Sequence, residues 1–156
     1  MVATPLLAPR ASRSADELVG SVHELMRSVL RGAHPTLEDE GISMGQFWTL
    51  HLVSSLGSAR LTTVARQLSL SSPTVCAKID ELEAAGLLTR HRSERDRRAV
   101  ELVLTAKGRK VETRIWARIG EMFAEATVDL PEEDLATAVR VFRAINGRLG
   151  ERRVAA

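Results

Sequence analysis

Apolar residues recur every three or four positions near the start of the chain, which is the period of an amphipathic helix. Ser14 and Glu17 have the S-x-x-E spacing of a capping box, so we expect the helix to begin there. Gly32 and Pro35 are typical stop signals and predict a helix over residues 15–32. Its apolar stripe consists of Leu18, Val22, Leu25 and Val29. We interpret the preceding residues, 1–14, as a flexible arm.

Three shorter helices are predicted next. Ser43 and Gln46 form a second capping box, and Gly57 closes the helix that follows. A short helix is expected over residues 62–68, and a tight three-residue connection leads to a fourth helix. That helix is capped by Ser71 or Ser72 and ends before Gly86; Pro73 fits its first turn, where amides have no helical partner.

The period changes from helical to alternating after the fourth helix. Residues 87–92 and 99–104 have the composition and alternation of two strands. The segment between them, 93–97, is polar and charged, so we expect a β-hairpin. The hairpin makes the predicted fold mainly α with a small β-wing.

Two long helices complete the pattern, over residues 105–127 and 131–149. Their stripes are Val111, Ile115, Ile119, Met122 and Ala126 in one, and Leu135, Val139, Phe142, Ile145 and Leu149 in the other. Together with the first helix they carry more apolar surface than one small lobe can bury. We therefore expect a helical dimerisation domain and a homodimer with twofold symmetry.

Composition argues against several classes of protein. The single cysteine, Cys76, cannot form a disulfide within the chain or a thiolate zinc cluster, and it favours a reducing, cytoplasmic setting. No apolar stretch is long enough to cross a membrane. The four histidines are scattered, so no metal site is expected. Since the chain has no nucleophile elbow, phosphate-binding glycine loop or H-E-x-x-H motif, we expect neither an enzyme nor a cofactor.

Charge distribution is more informative than the formal net charge of +2. The 22 basic residues include three lysines, which leaves 19 arginines, the side chain that best matches phosphates and guanine edges. Five arginines fall within nine residues of the hairpin: Arg90, Arg92, Arg95, Arg97 and Arg98. Glu94 and Asp96 are the acidic residues among them. An arginine on a slim β-loop fits the narrow minor groove of DNA.

The third and fourth helices and the turn between them have the pattern of a helix-turn-helix. The apolar stripe of the fourth helix is Val75, Ile79 and Leu82, and its polar face is Ser71, Thr74, Lys78 and Glu81. Small hydroxyls and a lysine can contact phosphates and base edges in the major groove. Together with the basic hairpin, this face predicts a protein that binds double-stranded DNA.

Several segments resemble the MarR family of bacterial regulators. They are LTTVARQL at 61–68, SSPTV at 71–75, IDELE at 79–83, GLL at 86–88, and DRR at 96–98 running to LVLT at 102–105. The joint spacing of the P-T-V helix start and the D-x-R…L-x-L-T wing is the most specific part. The resemblance covers roughly residues 15–150 as a single domain, with a winged helix-turn-helix at 43–104.

The resemblance implies a triangular homodimer that acts on a pseudopalindromic operator as a ligand-responsive repressor. The residues implied to enter the major groove are Ser71, Ser72, Pro73, Thr74 and Lys78. Arg98 is implied to enter the minor groove or anchor the wing, with Asp96 orienting it. Arg95 and Arg97 are implied to contact the DNA backbone. Ala77 departs from the pattern, because many members have a polar or basic residue there, so individual base contacts are not assigned.

The family also implies a cleft between the dimer helices and the DNA-binding lobe that accepts a small effector. Trp48, His51 and Trp116 are the candidates for that site, with simple packing as the alternative. Two other functions stay open. Cys76, in the fourth helix, makes a thiol-based redox sensor one of them. The other is a protein-interaction module whose basic wing binds an acidic partner protein.

Overall fold

The helices and strands follow the predicted order, with one additional strand. The structure, a computed structural model, describes residues 12–92 and 100–154. Over these residues the elements are α1 (Arg13–Asp39), α2 (Met44–Leu56), β1 (Ala59–Arg60), α3 (Leu61–Leu68), α4 (Ser72–Ala84), β2 (Leu88–Arg92), β3 (Val100–Leu104), α5 (Ala106–Thr127) and α6 (Glu132–Val154). The mainly α fold with a small β-wing is confirmed. Most of the predicted arm, residues 1–11, lies outside the described residues.

The first helix begins earlier and ends later than the sequence predicts. Its N-cap is Ser12, whose hydroxyl accepts a backbone N–H of the first turn at 3.2 Å, and the prediction of Ser14 was wrong. Pro35 lies inside the helix, although it cannot donate the helical hydrogen bond. Ala33 and Leu37, on either side of Pro35, are buried in the core. Their burial offsets the lost bond, so the helix does not end at residue 32.

The capping predictions for α2 and α4 are confirmed. The Ser43 hydroxyl accepts the Gln46 N–H at 3.3 Å, and the Gln46 side-chain oxygen accepts the Ser43 N–H at 2.7 Å. Of the two serines proposed for α4, Ser71 is the cap, and its hydroxyl accepts the Thr74 N–H at 3.3 Å. A short polar side chain thus satisfies an amide that has no partner within the helix, which fixes where each helix starts.

The wing strands β2 and β3 pair antiparallel, with Leu88 opposite Leu104 at the base of the hairpin. The strand β1 pairs with the other edge of β3, with Ala59 opposite Leu102, and gives the sheet the order β1-β3-β2. The strand β1 is not predicted from the sequence. Two residues are too few to show an alternating pattern. The strand forms where the chain leaves α2 and meets the open edge of β3.

The core lies where α2, α3 and α4 meet the sheet and the first half of α5. The apolar stripe predicted for α4 is buried completely, at Val75, Ile79 and Leu82. Residues of α2, α3, β3 and α5 in the same core also have no exposed surface: Phe47, Leu50, Val53, Val64, Leu102 and Ile115. At about 25 cal/mol per Å² of apolar area, such burial is the main term that stabilises this lobe. It also leaves the opposite face of α4 at the surface.

The chain divides into two compact units, with the boundary inside α5. The first unit extends to Gly120 and contains α1 to α4, the sheet and most of α5. The second begins at Glu121 and contains the end of α5 and α6. The helix α6 begins with an acidic first turn at Glu132, as expected, but continues to Val154, beyond the predicted end at 149. Among the described residues, no helix has the length and apolar character that crossing a membrane requires.

The first turn of α5 is joined to the end of α4. The Thr105 hydroxyl donates to the Gly86 carbonyl oxygen at 2.7 Å and accepts the Gly108 N–H at 2.9 Å. Lys107 Nζ donates to the carbonyl of the residue before Gly86 at 2.9 Å. Gly108 passes so close to the backbone of Leu87 that an added Cβ would lie 1.8 Å from the Leu87 oxygen. Gly108 is therefore required for this junction.

We expect Gly108→Ala to lower the free energy of unfolding by about 1–3 kcal/mol, because the new methyl group must displace the Leu87 backbone. Gly120→Ala is the matched control, since it lies in the same helix and an added Cβ there meets nothing within 4 Å. The control should raise stability by up to about 1 kcal/mol. Urea unfolding at one fixed protein concentration measures both. Equal stability of Gly108→Ala and the wild type would contradict the close junction.

Candidate nucleic-acid interface

A tight turn places α4 directly after α3. Ser69 has a left-handed backbone, with φ of 54°. The N–H groups of Ser69 and Leu70 donate to the carbonyls of Arg66 and Ala65 at 3.2 and 3.1 Å. These bonds satisfy carbonyls at the end of α3 that the helix leaves unpaired. The chain then enters α4 at its Ser71 cap, so the predicted helix-turn-helix is present.

The residues predicted to read DNA lie together at the start of α4. Four of them are exposed: Ser71, Ser72, Pro73 and Thr74. Ser71 Oγ and Thr74 Oγ1 are 2.7 Å apart, so part of their hydrogen-bonding capacity is used in capping the helix. Ala77 is also exposed and continues this surface, whereas Cys76 is partly buried. The first half of α4 thus presents short, polar side chains and backbone to a partner.

The fifth predicted contact residue of α4, Lys78, is oriented differently from the first four. Its side chain is half-buried and lies across the first turn of α2. A Cβ at Gly45 would be 2.9 Å from Lys78 Nζ, so the missing side chain of Gly45 makes room for the lysine. The ammonium group lies at the α2–α4 contact, at the edge of the exposed polar surface.

Acidic residues occupy the second half of α4, and each has a partner on a neighbouring element. Gln46 Nε2, on α2, donates to Glu81 Oε2 at 2.8 Å. Arg90, on β2, donates to Asp80 Oδ1 at 2.6 Å and to Glu83 Oε2 at 2.5 Å. The pKa of the Arg90 guanidinium is raised above its usual value, mainly by the hydrogen bond to Asp80. Burial acts in the opposite direction, and the charge of Glu83 adds to the increase.

The two strands of the wing extend from the end of α4. Arg90 is half-buried against α4, whereas Arg92, at the end of β2, is exposed. The predicted wing residues Arg95, Asp96, Arg97 and Arg98 lie in the segment 93–99, outside the described residues. Their roles therefore stay predictions from sequence.

A second cluster forms where α2 packs against α5. The candidate effector residues Trp48, His51 and Trp116 are brought together there. The His51 ring stacks on Trp116 with ring centroids 4.1 Å apart and planes 16° apart. Trp48 contacts Trp116 edge-on, with ring centroids 6.4 Å apart. The Phe47 ring also packs on His51, with ring centroids 5.9 Å apart. Both tryptophans are exposed, at 41% and 46%, so the cluster is accessible from solvent.

A buried carboxylate fixes the orientation of His51. Glu112 Oε1 is 2.8 Å from His51 Nδ1, and the Glu112 side chain is only 11% exposed. An ionised carboxylate can only accept, so Nδ1 carries the hydrogen of this bond. In the neutral ring Nε2 is then an acceptor, and it has no hydrogen-bond partner among the described residues. The cluster offers a ligand two aromatic faces and one polar atom.

Glu112 is the residue of this cluster that sequence reasoning missed. A signal was present, because Glu112 lies between the buried positions Val111 and Ile115 of α5 and one turn before Trp116. A carboxylate at such a position needs a partner, but the sequence does not say which residue supplies it. Within residues 12–92 and 100–154, no group of three metal-binding side chains is close enough to hold an ion.

A helix-turn-helix followed by a two-stranded wing defines the class of winged helix-turn-helix proteins. Residues 42–100, which span α2 to the start of β3, match the family model described as "MarR family". The match covers less than half of the chain, and over this segment the chain is similar to the MarR family; the relatives that match the chain are named as helix-turn-helix transcriptional regulators.

Curated relatives and solved structures are similar to this chain over more of its length. The chain is 23% identical to the transcriptional repressor MdtR of Bacillus subtilis over 133 residues, which is 83% of this chain and 86% of MdtR. A mutant MarR from E. coli in complex with operator DNA has the same fold, with a TM-score of 0.68 and 20% identity, over 83% of this chain and 93% of that one. NadR in complex with 4-hydroxyphenylacetate matches with a TM-score of 0.71 and 22% identity, over 91% and 97%.

Proposed function

We propose that this protein is a homodimeric repressor that binds a pseudopalindromic site on double-stranded DNA and responds to a small effector. The observation that carries DNA binding is the exposed, polar first half of α4, which precedes an arginine-rich wing. A helix of this kind fits the major groove, and a basic β-loop fits the adjacent minor groove. The operator complex of the E. coli relative supports this arrangement.

Direct contacts are assigned to two groups of residues. The first is the start of α4, comprising Ser71, Ser72, Pro73, Thr74 and Lys78. The second is the wing, where Arg95, Arg97 and Arg98 supply cations and Asp96 orients the arginine. Hydroxyls and backbone amides at a helix start bind phosphate well because the helix dipole is positive there. A protein-interaction module would need the wing but no such helix surface, so it is the less supported alternative.

Homodimer formation is supported by unpartnered apolar surface in each of the two units. In α1 the predicted stripe is incompletely buried, and Leu25 and Met26 are 43% and 59% exposed. In the second unit Val139, Phe142 and Leu149 on α6 are all exposed. An isolated apolar side chain at the surface is ordinary, but rows of them along a helix mark an interface. A second copy of the chain supplies a matching surface by twofold symmetry.

Repression and effector response rest on different observations. The repressor role follows the name of the relative MdtR. The effector role rests on the cluster of Trp48, His51 and Trp116, and on the ligand complex of NadR. Because the cluster joins α2 to α5, a ligand that separates the two helices changes the position of α5, whose first turn is bonded to the end of α4. The site is thereby connected to the DNA-binding helix.

DNA binding is tested with a labelled duplex from the intergenic region upstream of the protein's own gene. We expect affinity to fall steeply as salt is raised, because each neutralised phosphate adds about 0.9 to the slope of log K against log salt. Lys78→Ala and Arg98→Ala should each weaken binding and lower the slope by about one. Lys110→Ala, on the exposed side of α5, is the control. No binding by the wild type, or no salt dependence, would contradict the proposal.

Dimer formation is tested by light scattering on the purified protein, which should give twice the chain mass of 17.1 kDa. Phe142→Glu should shift the mass towards that of the monomer, because it places a charge in an apolar interface. Ala144→Glu adds the same charge two positions along α6, about 200° round the helix, and should stay dimeric. A wild-type monomer would refute the homodimer.

The effector site contains both tryptophans of the chain, and the chain has no tyrosine, so intrinsic fluorescence reports on this cluster alone. We expect a panel of aromatic acids and phenols, beginning with 4-hydroxyphenylacetate, to include a compound that changes the emission saturably and releases DNA. His51→Ala should abolish both effects, whereas His91→Ala, on β2, should retain them. A compound that releases DNA without changing the emission would place the effector elsewhere.

A further inference from the structure

The guanidinium group of Arg90 bridges the base of the wing to α4, the recognition helix. Arg90 lies on β2 opposite Leu102, at the base of the wing. Its side chain contacts Asp80 Oδ1 at 2.6 Å and Glu83 Oε2 at 2.5 Å, and its backbone N–H donates to Glu83 Oε1 at 3.3 Å. The two acidic residues are three positions apart, so they lie on the same face of α4.

The planar fork of arginine is suited to this bridge. Its two terminal nitrogens bind different carboxylates, which a single ammonium group does less well. The Arg90 side chain is 31% exposed and that of Glu83 37%, so water only partly screens that contact, whereas Asp80 is 63% exposed and its contact is screened more strongly. The hydrogen-bonded charges restrict the angle between α4 and β2 more than a surface ion pair would.

The charges of Asp80 and Glu83 would ordinarily oppose a protein that binds a polyanion. Two carboxylates on a helix facing phosphates repel them, so electrostatics alone favours their removal. Their use as anchors for Arg90 gives them a different role. They fix the base of the wing relative to the helix that precedes it.

The geometry points to Arg90 as a positioning residue for DNA binding, anchored by Asp80 and Glu83. It does not contact DNA itself. It holds the wing at the angle to α4 at which both elements engage the duplex together. Two linked binding elements bind more tightly when their relative position is fixed in advance, because less freedom is lost on binding. This inference rests on the proposed function.

The first experiment measures the affinity of Arg90→Gln for the upstream duplex at several salt concentrations. We expect affinity to fall about tenfold while the salt slope is unchanged, since no phosphate contact is lost. Arg90→Lys keeps the charge but cannot form the fork, and should also bind more weakly. A slope lower by about 0.9 would identify a direct phosphate contact and overturn the assignment. Full affinity in either variant would also overturn it.

The second experiment separates positioning from charge. The double variant Asp80→Asn/Glu83→Gln removes two negative charges, so charge alone predicts tighter binding. Positioning predicts weaker binding. Glu81→Gln removes one charge from the same helix and leaves the Arg90 contacts intact, so it measures the effect of charge alone and should bind more tightly than the wild type. Tighter binding by the double variant would refute the inference.

Hydrogen exchange of the free protein separates failure of this inference from failure of the proposed function. In Arg90→Gln we expect faster exchange of the β2 amides, residues 88–92, in the absence of DNA. Unchanged exchange in a variant that binds DNA normally overturns the positioning role and leaves the proposed function intact. If the wild type binds no DNA, the proposed function is wrong, and the role of Arg90 in binding falls with it.

Discussion

The close contact between Gly108 and the Leu87 carbonyl determines where the main elements of the first unit meet. A methyl group at position 108 would overlap that oxygen, so α5 can approach α4 and β2 this closely only at a glycine. Thr105 and Lys107 then bond to the carbonyls that end α4. The recognition helix α4, the wing and the long helix α5 therefore diverge from one small junction.

Burial and exposure divide α4 between two roles. Its inner stripe is fully buried and fixes the helix against the core, while its first turns keep a polar surface. Its second half carries acidic residues, which are bonded to Gln46 on one side and Arg90 on the other. The net charge of +2 therefore gives little information about the interface, because cations and anions occupy different parts of it.

The aromatic cluster contains one polar pair, His51 and Glu112, among apolar rings. His51 lies between aromatic rings, and its Nδ1 is bonded to the buried carboxylate of Glu112. Without that carboxylate the imidazole would lose its fixed orientation, and without the imidazole the carboxylate would be buried with no partner. Since the pair joins α2 to α5, it contributes both to the packing of the lobe and to the proposed effector site.

The sequence by itself determined the features that depend on local interactions: the order of the six helices and the two wing strands, the cap of α2 at Ser43, and the helix-turn-helix. Periodicity, caps and turns involve residues a few positions apart, so a linear pattern is sufficient to predict them. Tertiary structure decided the continuation of α1 through Pro35, because burial outweighed a local stop signal. It also decided the partners of Arg90, and the pairing of His51 with Glu112, which are 61 positions apart. Both sets of contacts join different elements and depend on how those elements pack, which a linear pattern does not specify.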